Sequence, residues 1–458
     1  MTEENIRAER LGTEPIGNLL IKFSVPAIVG MIVNALYNIV DRIFIARGVG
    51  NVAIGGLYIG MPIMLVLMAF GMLIGIGGNT LVSIRLGEGK KEEADKIASN
   101  SLVLLIVIGI FLGIIGNILL EPLLKMFGAS SSNIGYAMDY MRIILIGAPF
   151  NAIGFGMNNF IRGEGNPKIA MFTMLIGAIL NMILDPIFIF IFDMGVQGAA
   201  LATIISQAVS MLWVLRYFFS GDSVLSFRKK YMIPKAYIVK RIIANGIAPF
   251  SMQLAASLVA ALYNSNLQRY GGDMATSSMG VINSVTMMIA MPIFGINQGS
   301  QPIMGFNYGA GKYDRVIKTL AYAATVATAI TTLGFLIVQI FPDLIIKAFV
   351  GEKGASGELM TIAVPGIRTL LFAFPVVGFQ IVSGSYFQAT GKPRQAMLMS
   401  LSRQVLVLIP ALLIIPKILG LKGVWMAGPI SDTISFLIAV VLISISMKQM
   451  REDIKKGA

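Results

Sequence analysis

Residues Gly165–Met171 read GNPKIAM, and Gly391–Met397 read GKPRQAM. The second stretch repeats the glycine, the proline and the Ala-Met pair of the first. Working outward, Arg85–Lys90 (RLGEGK) is answered by Asn307–Lys312 (NYGAGK), and Gly195–Ala199 (GVQGA) by Gly420–Val424 (GLKGV). Leu36-Tyr37-Asn38 returns as Leu262-Tyr263-Asn264, and Pro149 as Pro375. The shift between partners runs from 222 (85 to 307) to 226 (165 to 391). Glycine-lysine and glycine-proline turns are common singly. Their recurrence in one order at one spacing marks a tandem duplication.

Between these turns the chain is apolar. It is 56% hydrophobic and 13% charged, where soluble domains carry about 25% charge. Runs of about 20 apolar residues are long enough to cross a bilayer. Twelve spans are predicted, near 19–46, 55–84, 97–119, 134–158, 168–192, 196–219, 238–268, 276–306, 316–341, 358–384, 395–416 and 423–446. The expectation is an all-α polytopic membrane protein, with twelve transmembrane helices in two homologous six-helix bundles. Six crossings return the chain to its starting side, so the copies run parallel about a pseudo-twofold axis along the membrane normal. The expected division is a first lobe at 1–220, a basic linker at 221–236 and a second lobe at 237–458.

Charge sets the expected orientation. Arg85, Lys90, Lys91 and Lys96, then Arg228, Lys229, Lys230 and Lys235, then Lys312, Arg315 and Lys318 fall on one side with both termini. That side reads as cytoplasmic, in the cell membrane. The net charge of +13 is then an orientation signal, and nucleic acid is not an expected partner. The first 15 residues are polar and give no sign of a cleavable signal peptide. Histidine and cysteine are absent, which removes disulfides, thiol chemistry and the common zinc sites. Any group that moves protons must then be a carboxyl or a perturbed lysine.

Few acids lie within the predicted spans, and Asp41, Asp185 and Asp432 stand out among them. Ionisable groups there cost about 2.5–3.5 kcal/mol on insertion scales and are functional by default. Asn34, Tyr37, Asn38 and Asp41 share one helical face by their spacings of three and four; the neighbouring Arg42 points elsewhere. Asn181 and Asp185 stand one turn apart. With Asn158 and Thr203 they are expected to form one polar cluster inside the first lobe, in the outer part of the membrane. The repeat supplies a control. Leu267 stands where Asp41 would recur, and Leu408-Ile409-Pro410 replaces Leu184-Asp185-Pro186. An architectural need would be met in both copies, so these acids read as an ion-coupling site for H⁺ or Na⁺. Asp432 differs, because Arg403 is placed to pair with it. Pro26, in the span that holds Asp41, is the expected hinge.

A carboxyl removed from water holds its proton more tightly, so paired acids can exchange protons near neutral pH. The same oxygens, with those of Asn158, Asn181 and Thr203, suit a hard cation such as Na⁺. The 29 methionines and 26 phenylalanines suit an adaptable, aromatic cavity for organic cations.

The stretch Phe23–Arg47, FSVPAIVGMIVNALYNIVDRIFIAR, resembles the opening of MATE (multidrug and toxic compound extrusion) proteins. So do IRGEGNPKIAM (Ile161–Met171), NMILDPIFIF (Asn181–Phe190) and GVQGAALAT (Gly195–Thr203). The resemblance covers essentially the whole chain and is greatest to the MepA-like and DinF-like branches. It implies the MATE fold, a two-lobed V-shaped carrier exporting cationic, often aromatic drugs against H⁺ or Na⁺. It also implies an ion site at Tyr37, Asp41, Asn158, Asn181, Asp185 and Thr203. The glutamate that the NorM-like branch carries on helix 7 falls here on Gln253. The chain is expected to act as a monomer in the lipid bilayer, without cofactor, and not as an enzyme. Two rival readings are a lipid-linked-precursor flippase of the same superfamily and an intramembrane aspartyl protease. The protease motifs Tyr-Asp and Gly-x-Gly-Asp are replaced by Val40-Asp41 and Leu184-Asp185.

Overall fold

A computed structural model describes residues 10–49, 51–127, 129, 133–354 and 357–455. Among these, residues 38, 42, 46, 51–55 and 350–354 are described by backbone alone, so the Asn38 and Arg42 side chains lie outside the described set. The secondary structure of the described residues is helical throughout. The first unit comprises α1 (Ile16–Gly48), α2 (Asn51–Gly87), α3 (Lys91–Ile118), the short α4 (Leu120–Met126), α5 (Ile134–Ile146), α6 (Ala148–Gly163), α7 (Pro167–Pro186) and α8 (Gly195–Phe219). The second comprises α9 (Ala236–Gly309), α10 (Tyr313–Ile340), α11 (Pro342–Gly354), α12 (Gly357–Leu370), α13 (Phe374–Ala389), α14 (Pro393–Leu401) and α15 (Ile409–Lys455).

α9 has 74 residues. At about 1.5 Å per residue that is about 110 Å, against a hydrocarbon core of about 30 Å. It therefore crosses twice, and the break falls at Gly272 (φ 64°, ψ −159°). α15 breaks likewise at Gly420 (φ 57°). Gly195, the counterpart of Gly420, has φ 56°, and Gly89 and Gly311 pair at 73° and 69°. The duplication read from sequence thus recurs as matched left-handed turns, which favour glycine. With each bent pair (α5/α6, α12/α13) taken as one span there are ten candidate spans among the described residues, and counting the two long ones twice at their breaks, Gly272 and Gly420, makes twelve. Ile118 and Ile418 are 72% and 76% exposed, and the most apolar windows are only 22–44% buried within the protein. That much uncovered apolar surface belongs against lipid.

Two spans bend close to a proline that the sequence places inside them, Pro149 and Pro375, where a kink is invited. The fourth bends by 55° at Gly147 and the tenth by 49° near residues 371–373. Pro149 and Pro375 sit in the first turns of α6 and α13, where a missing N–H goes unnoticed. The fifth span ends in a π-helical turn (Ile187–Ile191) after Pro186, and the eleventh contains another (Ser402–Leu408). α1 runs unbroken through Pro26.

The buried clusters fix how the units meet. At the end bearing the termini the units exchange their first helices. Leu19, Leu20 and Phe23 of α1 pack into second-unit side chains such as Ile296, Ile303 and Phe387. Ile238 and Ile242 of α9 pack into the first unit beside Leu81, Val82 and Phe160. At the opposite end each unit keeps its own core. One spans Ile45 to Ala200, the other Val259 to Trp425. The units thus share buried clusters at one end and are packed separately at the other.

Candidate functional site

α7 lies between α1 and α8. This arrangement turns the one-turn spacing of Asn181 and Asp185 toward acids and hydroxyls from both neighbours. Asp185 is fully buried and Asp41 is 8% exposed. Their carboxyl groups are in side-chain hydrogen-bond contact. The Asn181 amide, oriented to satisfy both its ends, donates to Asp185 Oδ2 at 3.0 Å and accepts from the Thr203 N–H at 3.3 Å. The Thr203 hydroxyl donates to the Ala199 carbonyl at 3.0 Å, one turn back on α8.

The structure therefore brings Asp41, Asp185, Asn181 and Thr203 together. Tyr37, half-buried on α1, borders the cluster beside Tyr140. Asn158 is buried on α6, and its Oδ1 has no hydrogen-bond partner among the described residues. Pro26 lies fifteen positions before Asp41 on α1, between Ser24 and Ile28. Those two pack on Gly299 and Gly295 of the second unit. Gln253 is half-buried on α9.

One member of the cluster escaped the reading of the sequence. Tyr140, on α5, is 4% exposed, and its hydroxyl lies beside the Thr203 side chain, close to Asp41 and Asp185. Gly366 occupies the corresponding place in the second unit. The comparison of copies that exposed the acids would have exposed this tyrosine too.

The second unit has a different centre. Arg403 Nε donates to Asp432 Oδ1 at 2.6 Å, and the Ser431 hydroxyl donates to the Arg403 carbonyl at 2.5 Å. Asp432 is buried while the Arg403 side chain is 37% exposed. Arg403 sits on the π-helical turn, and such turns often mark functional places in helices. Tyr263, the counterpart of Tyr37, is buried beside this pair.

The first cluster offers carboxyl, amide and hydroxyl oxygens from three helices. Such donors suit protons or a hard cation and do not suit soft metals. The second pair neutralises itself.

Comparison with known proteins agrees with this architecture. The MatE family model matches residues 26–187 and again 248–413, one match per unit. The multidrug export protein MepA of Staphylococcus haemolyticus is 28% identical over 424 residues, covering 93% of this chain and 92% of the relative. The Staphylococcus aureus protein of the same name is 26% identical over 441 residues, 96% of each chain. A solved structure of the MATE multidrug transporter DinF-BH is 42% identical, with a TM-score of 0.88 over 95% of this chain and 97% of that one. An outward-facing MATE transporter of the MOP superfamily is 25% identical, with a TM-score of 0.89 over 97% and 98%. These relatives are named as export proteins and transporters, which removes the protease reading. Duplicated helices, paired glycine turns and a family match in each unit lead to one assignment: the chain belongs to the MATE family.

Proposed function

We propose that this protein is a secondary active multidrug exporter, expelling organic cations in exchange for H⁺ or Na⁺ by alternating access. The observation that carries the reading is the contact between the Asp41 and Asp185 carboxyls inside the first unit. Two carboxylates in contact repel, so they share a proton or hold a cation between them. Filling or emptying that place changes the packing of α1 against α7. Names borne by the relatives, which are 26–28% identical along nearly the whole chain, support drugs as the cargo.

In this reading residues 1–220 couple the ion, 221–236 link the lobes on the cytoplasmic side, and 237–458 close the other wall of the cleft. Tyr37, Asn181 and Thr203 tune the acids, and Asn158 joins them when α6 shifts. Pro26 lets α1 bend between conformations. Its ring leaves the Lys22 carbonyl without a helical donor, so bending there breaks one bond fewer. The Arg403–Asp432 pair holds the π-helical turn against the second arm of α15. The protein acts as a monomer in the cell membrane with both termini in the cytoplasm. Coupling requires that loading the acids favour one conformation; here ion entry from outside lowers drug affinity and drives release.

Reconstitution tests the proposal. Ethidium movement in proteoliposomes should follow an imposed pH gradient, or a Na⁺ gradient at fixed pH. Asp41→Asn, Asp185→Asn and the double variant should each abolish gradient-driven export. Full export by the double variant would sink the coupling role.

A further inference from the structure

A trough of about 610 Å³ opens on the second unit, where the ends of α10 and α12 meet the second arm of α15. Its wall is apolar, built from Phe372, Met426, Ile430 and Ile434, and its rim carries Arg368 and Lys422. It lies at the membrane face opposite the termini, because Lys422 precedes the last crossing. Arg368 is fixed in place. Its Nη2 donates to the Gln339 carbonyl at 3.1 Å, and Gln339 Nε2 donates to the Arg368 carbonyl at 2.8 Å. Neither cation forms a salt bridge among the described residues.

We infer that this trough binds one anionic phospholipid. Its phosphate lies between Arg368 and Lys422, and an acyl chain runs down the apolar wall. From Lys422 to Ile434 is twelve residues, about 18 Å of helix, close to the depth of one leaflet of an about 30 Å core. The guanidinium fork matches a phosphate, and the two cations repel a cationic drug from the same place. Any lipid-facing groove meets acyl chains; the unpaired cations above this one select the headgroup. The first unit supplies a control. Arg142 stands where Arg368 does, but Gln197 replaces Lys422. The site is therefore single, one per chain, and does not depend on the transport reading.

Native mass spectrometry of the full chain in mixed micelles tests the inference, with phosphatidylglycerol and phosphatidylcholine in competition. One retained phosphatidylglycerol per chain is expected. A basic side chain near a membrane surface contributes an attraction worth about fivefold in affinity. Arg368→Gln and Lys422→Gln should each reduce the preference by about that factor, and together by the product. Ile430→Trp fills the trough and should expel the lipid with both cations intact. Excess inorganic phosphate should not displace it. Melting in phosphatidylcholine micelles checks that the variants fold, and the competition on the unaltered protein decides independently of them. Equal retention of phosphatidylcholine, displacement by inorganic phosphate, or an undiminished preference in a folded double variant would overturn the site.

Discussion

Gly87 and Gly309 form a reciprocal crossing at the end of the molecule that bears the termini. A Cβ on Gly87 would stand 2.0 Å from the Phe306 carbonyl oxygen, and a Cβ on Gly309 would stand 2.0 Å from the Ile84 carbonyl oxygen. Both pairs are related by the same shift of 222 (87 to 309, 84 to 306). The pseudo-twofold axis therefore passes through a contact of bare backbones, α2 against the second arm of α9. Small residues allow such approach in membrane helices, where packing replaces the hydrophobic drive.

Alanine at either glycine should wedge this end apart. Overpacking costs about 1–3 kcal/mol, enough to move a closely balanced conformational equilibrium. Spin labels on the two units near this end should show a longer distance in Gly87→Ala and in Gly309→Ala, by similar amounts because the contacts are equivalent. The substitution Gly17→Ala, where a Cβ meets nothing within 4 Å, should leave the distance as it was. Unchanged distances in both wedge variants would remove these glycines from the closure.

Much of this was legible in the chain. The repeat could be read because turns demand glycine at set places, and Gly195 and Gly420 show the same left-handed backbone that made them recognisable. Asp41 and Asp185 could be read because charge is rare within apolar spans. What stayed hidden depends on tertiary packing. Pro149 inside the predicted span invites a kink, but nothing in the sequence gives its 55° angle at Gly147. The π-helical turn around Arg403 leaves no mark in hydropathy. The short helices α4 and α11 are too brief to show a period. Asn158 fits the family's pattern, yet its Oδ1 has no hydrogen-bond partner among the described residues.

Tyr140→Phe tests the member of the cluster that sequence did not reveal. The change keeps the ring and removes the hydroxyl beside Thr203 and the two acids. A polar neighbour of this kind contributes about 0.5–1.5 kcal/mol, so ion-driven export should fall several-fold and not vanish. The ion dependence should shift along with it, since the hydroxyl lies beside both acids. An unaltered dependence of export on pH or Na⁺ would confine Tyr140 to packing.

Arg403 and Asp432 should respond unequally to substitution. Removing Arg403 strands a buried carboxylate, and breaking such a pair costs about 3–5 kcal/mol. Removing Asp432 leaves an arginine already 37% exposed, which can extend toward water. Thermal unfolding in detergent should therefore rank Arg403→Gln well below Asp432→Asn. Arg403→Met with Asp432→Leu should recover much of the loss, because an apolar pair replaces a desolvated one. Equal melting of the two single variants would mean that the pair is not what secures the π-helical turn to the second arm of α15.

Glu164 gives a pH dependence outside the membrane-spanning segments. It sits in the turn between α6 and α7, 1% exposed. Its Oε2 accepts from the Ser223 hydroxyl at 2.7 Å and the Leu225 N–H at 3.4 Å, which ties the linker to the first unit. Burial pushes its carboxyl up from 4.5 to about 7, against the opposing pull of hydrogen bonds from Tyr217, Ser223 and the backbone of Leu225 and Val224. Unfolded, the group loses its proton near 4.5; folded, it keeps the proton to about 7. Between those values the folded state binds more protons, so stability falls as pH rises, then levels off. Below 4.5 both states are protonated and the loss disappears. Melting temperature should accordingly decline from about pH 5 to pH 7 and flatten above about pH 8, with proteolysis at residues 221–227 rising over the same window. Glu164→Gln should remove that part of the slope. It should also lower stability at acid pH by roughly 1 kcal/mol, because its amide nitrogen is buried without an acceptor. A slope that persists in the variant would assign the pH response to another group.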